Sequence, residues 1–335
     1  KYGKSNYGNL EKVNIEYVSA NPTGPMHIGH ARGAVYGDSL ANLLEYVGYN
    51  ITREYYINDS GQQIVNLAKS VYLRYLEILN NKKEIFKDDL YPGEYLIPVA
   101  QNIINNYGDK FLNCDEIAWL DTFKKISISS MMDLIKDDLS SINIHHDVFT
   151  SEEFLKSNGF IEKVVKILNE NNMIYEGVLD PPKGLKKEDW KSRPQLLFKS
   201  TAFGDDVDRP LKKSDNSWTY FAADAAYHYE KFLRNYSSII NIWGADHGGY
   251  IKRIEGIIKS FSSSTINFDV KLCQLVNLKS DGKPVKMSKR AGNFVTMKSV
   301  VDSVGADVLR FIMLTRKNDA PLDFDILQVQ EQSKD

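Results

Sequence analysis

The sequence predicts an α/β protein, a parallel sheet with helices on both faces that is split by a mostly helical insertion. Three observations carry this expectation. Strand-like alternation and helix-like periodicity take turns over residues 11–79, and the same rhythm resumes over 210–300. Between them, residues 80–209 turn Lys/Asp/Asn-rich and mostly helical in pattern. Alternating β and α segments argue for parallel strands joined by helical crossovers.

The elements follow in order. Val13, Ile15 and Tyr17 alternate with Asn14 and Glu16, the period of a strand. The turn Asn21-Pro22-Thr23-Gly24-Pro25 comes next. Leu40, Leu43, Leu44 and Val47 then form one face of a helix that Gly48 ends. Residues 51–57 read as a second strand. Asn58-Asp59-Ser60 offers caps for a helix with Ile64, Leu67, Val71 and Tyr75 on its apolar face. Inside the insertion, helices are predicted over 94–106, 116–139 and 152–169, then a loop at 180–184 and a short strand at 196–199. The second half gives strands at 217–221, 239–243 and 268–276, with helices over 222–234 and around Ile251, Ile254, Ile257 and Ile258. Residues 301–335 read as the start of a further helical region.

Hydrophobic residues make up 42% of the chain and charged residues 26%, which excludes disorder, collagen and coiled coil. Lys and Arg number 42 against 44 Asp and Glu, a net charge of −2. No overall field draws such a chain to a polyanion, so nucleic acid has to be met by a local basic face. Cys114 and Cys273 stand far apart, which argues against a disulfide framework and a Cys-rich zinc site. A reducing, cytoplasmic setting is therefore expected. No apolar run approaches the ~20 residues that span a bilayer, and Lys1-Tyr2-Gly3-Lys4 is no signal peptide, so no membrane is expected among the partners. The first residue is not Met and the chain stops in the polar run 330–335, which reads as a piece of a longer protein.

In an open parallel sheet, ligands bind outside the carboxyl ends of the strands. The first such end carries Met26-His27-Ile28-Gly29-His30. Gly29 allows close approach, and a helix start presents N–H groups and the positive end of its dipole to phosphate. Two other readings stand beside this one: capping or solvent-facing histidines, and a zinc pair that lacks a third ligand at finger-like spacing. Far along the chain lies Lys286-Met287-Ser288-Lys289-Arg290, flanked by Gly282, Pro284 and Gly292. It is either a cationic loop suited to charge on a transferring phosphoryl group or solvated basic surface.

The two motifs together resemble the class I aminoacyl-tRNA synthetases, whose "HIGH" is matched letter for letter and whose "KMSKS" is matched except at Arg290. The stretch from Glu16 to Arg32 is similar to the signature of the arginyl-tRNA synthetases. So are Tyr55-Tyr56-Ile57-Asn58-Asp59-Ser60-Gly61, Trp218-Thr219-Tyr220-Phe221-Ala222-Ala223-Asp224 and Gly244-Ala245-Asp246-His247-Gly248-Gly249. Some members of that family lack the second lysine of KMSKS and carry one just upstream of HIGH. This chain keeps Lys289 and has Gly24-Pro25 upstream.

The resemblance implies a Rossmann-type catalytic domain split by a connective insertion, with a tRNA-elbow domain before it and an anticodon-binding domain after it. It implies ATP as a substrate with Mg2+ carried on its phosphates, L-arginine and tRNA(Arg) as partners, no protein metal ligand, and a monomer. His27 and His30 would contact the ATP phosphates and Gly29 would make room for adenine. Lys286 and Lys289, with Met287 and Ser288 between them, would close over pyrophosphate. Gly244, Asp246 and His247 would lie near the ribose, with Asp246 also near arginine. Glu16, Tyr220 and Asp224 would face the guanidinium, Asn21 the α-amino and carboxylate end, and Ser19 would also belong to the arginine site. Carboxylates suit a planar, permanently charged guanidinium, although by themselves Asp224 reads equally as a helix-terminal acid and Glu16 as a solvent-facing strand residue. His145, His146 and His228 read as surface or helix-face residues. Two other functions stay open: a small-molecule nucleotidyltransferase of the same HIGH superfamily, and a non-catalytic synthetase-like protein. Because the family's arginine enzymes generally need tRNA before they activate arginine, a chain without the outer domains is expected to charge tRNA poorly.

Lys289→Ala is expected to lower adenylate formation by ~10²–10³, as for loss of one transition-state charge partner, with ATP binding little changed. ATP–pyrophosphate exchange measures it, and a variant that keeps more than about half the wild-type rate would remove the lysine from that role.

Overall fold

The computed structural model describes residues 2–181, 193–261, 266–285 and 295–332. β1 (Lys12–Glu16), α1 (Ile28–Tyr46), β2 (Asn50–Ile57) and α2 (Gln62–Asn80) form where the periodicity predicts them. Gly48, just past α1, has φ +98°, a conformation that side chains resist. α3 (Ile97–Tyr107) and α4 (Glu116–Ser140) pack on α2 and bury Leu67, Val71, Ile103 and Phe123 with it. β3 (Val148–Ser151) then pairs in parallel with β2. The range 80–209 therefore supplies an edge strand to the main sheet before it departs as an insertion.

The single helix predicted over 152–169 is two, α5 (Glu152–Ser157) and α6 (Phe160–Glu170). Gly159 between them has φ +70°, which no α-helix continues through. β4 (Ile174–Gly177), β5 (Gln195–Phe198) and β6 (Arg209–Pro210) make a separate antiparallel sheet. Of the loop predicted at 180–184, residues 182–184 lie outside the described residues. The strand predicted over 217–221 does not form. Thr219 caps α7 (Tyr220–Leu233), its Oγ1 accepting from Ala222 N at 3.3 Å, and Trp218 keeps only an isolated bridge to Lys212. A β-rich composition has yielded to a helix cap.

β7 (Ser238–Gly244), α8 (Ile251–Phe261) and β8 (Asn267–Cys273) complete the main sheet. The last predicted strand divides at Cys273, and β9 (Val276–Ser280) belongs to a second sheet with β10 (Lys283–Pro284). After α9 (Met297–Val304) and α10 (Ala306–Leu314), β11 (Leu322–Asp325) returns to pair in parallel with β9, and α11 (Ile326–Gln332) follows. The stretch read as a helical outlet thus closes a sheet, with Leu322 and Phe324 in the main core.

The five-stranded sheet has the order β3-β2-β1-β7-β8, all parallel. The chain steps outward from β1 to β3 and returns on the other side of β1, so the order reverses between β1 and β7. A ligand crevice belongs at the carboxyl ends of those two strands. The faces of the sheet differ in kind. Val13, Ile15, Tyr17 and Tyr55 enter one apolar core with Ile28, Ala31 and Val35 of α1. On the α7 side, Asn14, Glu16, Glu54 and Asn241 are buried, and Glu54 and Asn241 flank Glu16 in register.

Arg32, two residues after the HIGH motif, is 1% exposed and meets no carboxylate within salt-bridge distance among the described residues. Its guanidinium donates to four backbone carbonyls: Ala320 and Lys317 at 2.6 Å, Gln274 at 3.1 Å and Arg316 at 3.4 Å. It locks α1 to the chain between α10 and β11. Arg32→Ala should cost about 3–5 kcal/mol in chemical denaturation, because buried carbonyls lose a charged donor. Arg32→Lys should recover only part of that, since an ammonium cannot fork. Equal stability of the Lys variant and wild type would mean that the fork is not needed.

Candidate active site

The exit from β1 is backbone under constraint. Val18 and Ser19 have φ +72° and +41°, successive left-handed residues with side chains. Such conformations persist where the surroundings over-determine them. Here Ser19 Oγ donates to Glu16 Oε1 and accepts from Tyr56 N, both at 3.0 Å, and Tyr55 Oη donates to Ala20 O at 2.6 Å. The turn beyond is held from the insertion: Tyr95 Oη donates to Thr23 O at 2.8 Å, and its ring lies 2.8 Å from where a Gly24 Cβ would stand.

Met26 N donates to Asp138 Oδ2 of α4 at 2.8 Å, and Met26 O accepts from Met297 N at 2.8 Å. His27 is the N-cap of α1, and its backbone N donates to His30 Nδ1 at 3.2 Å. In a neutral ring this leaves the His30 proton on Nε2. The two imidazoles stack with centroids 3.8 Å apart, and both residues are half-buried beside Gly29. Thr296 forms an antiparallel bridge with His27. Lys286, Met287, Ser288 and Lys289 lie outside the described residues, but the chain resumes a few residues later directly against the HIGH turn.

Across the crevice stands α7. Asp224 is half-buried on its second turn, and among the described residues its carboxylate has no hydrogen-bond or ion-pair partner. Burial, then the charges of Glu152 and Glu16, push its pKa up to about 7, against the pull of Arg253 and Lys156. Tyr220, one turn earlier, is exposed, with its hydroxyl 3.8 Å from the position of a Gly61 Cβ. Glu16 is not solvent-facing. It is 5% exposed, and its two oxygens are taken by Lys231 Nζ at 2.8 Å and Ser19 Oγ at 3.0 Å. Asn21 is exposed. Gly244, Asp246 and His247 are exposed at the end of β7, and Asp246 Oδ2 lies 3.6 Å from His247 Nε2.

The chain matches the family described as tRNA synthetases class I (R), catalytic domain, over residues 1–331. The arginine--tRNA ligases of Ruegeria pomeroyi and Parvibaculum lavamentivorans are each 55% identical to it over 334 residues, which is 100% of this chain and 57% of each relative. It belongs to the class I arginyl-tRNA synthetase family. A structure from Campylobacter jejuni, provisionally assigned as an arginyl-tRNA synthetase, has a TM-score of 0.83 and 36% identity, covering 98% of this chain and 68% of that one. The Thermus thermophilus arginyl-tRNA synthetase has a TM-score of 0.68 at 14% identity, covering 96% and 61%, and shares the fold. The chain spans little more than half the length of the ligases it matches.

Within this arginyl-tRNA synthetase domain, sequence reasoning missed the groups that support the pocket. Lys231 of α7 and Arg234, which caps its C-terminus, reach the sheet, where Arg234 grips both oxygens of Glu54 at 2.8 Å. Tyr56 and Glu152 are buried next to Asp224's charge field. Period-two alternation does put Glu54 and Tyr56 on one face of β2, and that was the available signal. His228 is buried rather than on the surface, and His146 is largely so; burial above all holds their pKa values down, at about 3 and about 4.

Asp224 has an elevated pKa in the folded protein, so between about pH 4 and pH 7 the folded state keeps a proton that the unfolded state has lost. Its contribution to stability therefore falls as pH rises through that window. Asp224→Asn should be no more stable than wild type below about pH 4, and about 1–2 kcal/mol more stable above pH 7, after solvent screening is allowed for. Urea unfolding at both ends of the range measures it, and a pH-independent difference would remove the charge from the account.

Proposed function

We propose that this chain activates L-arginine with ATP to arginyl-adenylate, releasing pyrophosphate, and passes the arginine to the 3′ end of tRNA(Arg). The observation that carries the reading is the Asp224 carboxylate, without a partner among the described residues, on the side of the sheet opposite the stacked His27–His30 pair. In the first step an arginine carboxylate oxygen bonds to the α-phosphorus while the bond from that phosphorus to the bridging oxygen breaks. The nucleophile arrives ionised, so no base is required and catalysis is positioning plus charge stabilisation. A terminal ribose hydroxyl of the tRNA then attacks the adenylate carbonyl, and AMP leaves.

His30, with its proton on Nε2, and the N-terminus of α1 would donate to the phosphates beside His27, while Gly29 leaves room for adenine. Lys286 and Lys289, flanking Met287 and Ser288, would close over pyrophosphate. Asp224 would take the guanidinium, with Tyr220 beside it and Glu16 adding negative charge from behind its own ion pair. Ser19 and Asn21 at the end of β1 would face the other end of arginine, and Gly244, Asp246 and His247 the ribose side. Mg2+ would enter on ATP and draw charge from its phosphates. A cytoplasmic monomer is the setting we propose; no helix among the described residues is long and apolar enough to cross a membrane. The proposed division is 11–79, 80–209, 210–300 and 301–335, with β3 counted in the catalytic sheet and β11 with the sheet of β9.

Arginine-dependent ATP–pyrophosphate exchange with and without tRNA tests the reading. Exchange that ignores arginine would favour a small-molecule nucleotidyltransferase, and arginine binding without exchange under either condition a non-catalytic protein. Asp224 must lose its proton to hold a guanidinium, so arginine affinity should rise with pH up to about 7 and then level. Asp224→Asn should weaken arginine by ~2–4 kcal/mol, leave ATP unchanged and abolish the pH dependence. Titration calorimetry at several pH values decides it; equal losses for both ligands would make Asp224 a residue of the fold.

A further inference from the structure

The acid-rich recess beneath α7 contains a polar atom that the fold leaves unused. Tyr56 lies beyond Glu54 on the same face of β2 and is 6% exposed. Its ring stacks on Tyr227 of α7, centroids 4.2 Å apart, and packs against Leu155. Its hydroxyl is buried and has no hydrogen-bond partner among the described residues; the same holds for Tyr227 Oη beside it, but the charges that bear most on Tyr227 are Glu16, Glu54 and Arg234, whereas Tyr56 feels Asp224. A buried hydroxyl without a partner costs about 1–3 kcal/mol, so its retention calls for a reason.

Its electrostatic surroundings point to one. Glu152, Asp224, Glu16 and Asp59 all bear on Tyr56 and oppose its ionisation, after burial itself. Three of these acids already have partners: Glu152 has Lys156, Glu16 has Lys231 and Ser19, and Asp59 has Ser151 Oγ and Glu153 N. Asp224 does not. A guanidinium brings five N–H donors, and one carboxylate satisfies only two of them. A neutral phenol can accept a third and give its own proton to a neighbouring carboxylate. Neither Tyr220 nor Asp224 has its side chain tied by a hydrogen bond among the described residues.

We infer that Tyr56 is a specificity residue of the guanidinium site, its phenolic oxygen accepting an N–H of bound arginine beside Asp224. The inference rests on the proposed reading of that recess. Tyr56→Phe tests it, with wild type and Asp224→Asn measured in parallel by calorimetry with L-arginine and with ATP. The expected result is arginine bound about tenfold more weakly, the loss of one hydrogen bond to a charged group, with ATP affinity unchanged. In exchange assays KM for arginine should rise by a similar factor while kcat changes less than twofold. Stability should not fall, because phenylalanine removes a hydroxyl that had no partner. Tyr227→Phe, which deletes the stacked ring's hydroxyl, is the packing control and should keep arginine affinity. Arginine affinity within twofold of wild type in Tyr56→Phe, with the Asp224→Asn loss intact, would overturn this inference alone. A stability loss in Tyr56→Phe would also overturn it, by showing the hydroxyl to be bonded within the protein. Failure of wild type to bind arginine would overturn the reading of the recess and this inference with it.

Discussion

One buried cation sets the geometry at the carboxyl ends of the sheet. Lys231 has no solvent exposure, donates to Glu16 of β1 and Asn241 of β7, and sits 4.3 Å from the Tyr227 ring centroid. It stands at the seam where the strand order reverses. Arg234 repeats the device next door by clasping Glu54, whose oxygens also accept from Asn14 and Thr150 at 2.6 Å. Helix α7 is thus docked on the sheet by charge as well as by apolar contacts such as the Tyr227–Tyr56 stack. An apolar helix face can slide by a fraction of a turn at small cost, whereas a buried ion pair has one register and breaking it costs about 3–5 kcal/mol. Asp224 lies two turns up the same helix, so the register chosen by Lys231 also fixes where Asp224 stands.

The opposite wall is fixed by ties that cross the whole chain. Asp138 of α4, Tyr95 of the insertion and Met297 of α9 each bond the backbone around the HIGH turn, and Arg32 fastens the start of α1 to residues beyond α10. Catalysis by positioning requires reacting groups held to a fraction of an ångström. Here the rigidity comes from four distant segments converging on one turn, and the insertion acts as a structural member of the site through Tyr95. The left-handed backbone at Val18 and Ser19 fits this account, since local strain survives where surrounding bonds outvote it.

What the sequence could disclose follows from the range of the forces involved. The β1-α1-β2-α2 run and the HIGH turn at a strand-to-helix junction rest on periods of a few residues, and both are legible. Long-range choices are not. β3 joins the main sheet by pairing with β2, and β11 pairs with β9, across intervals that no local pattern encodes. The run 217–221 misleads because a Thr cap outweighs its β-rich composition, and 152–169 because a single left-handed glycine divides it. In the site, the resemblance singles out Glu16, which spacing alone leaves facing solvent, but not its occupant: Lys231 reads as one more basic residue at the end of a helix until the fold buries it.

The ionisation states under α7 are mutually dependent. His228 Nδ1 lies 2.8 Å from Asp224 O and Nε2 lies 3.1 Å from Asn241 Nδ2, so a neutral ring that donates to the carbonyl and accepts from the amide links the turn bearing Asp224 to β7. Burial and the Lys231 charge hold the ring's pKa at about 3. Its folded pKa lies below the unfolded value of about 6.5, so its contribution to stability is complete above that pH and is lost as pH falls toward 3. Asp224 has the opposite sign, favouring the fold while it is protonated and inert toward a guanidinium. Acid therefore weakens the histidine's tie on the helix while neutralising the acid that the helix presents. At neutral pH and above, the helix is held by a neutral histidine and two ion pairs, while burial and the charges of Glu152 and Glu16 make ionisation of Asp224 costly.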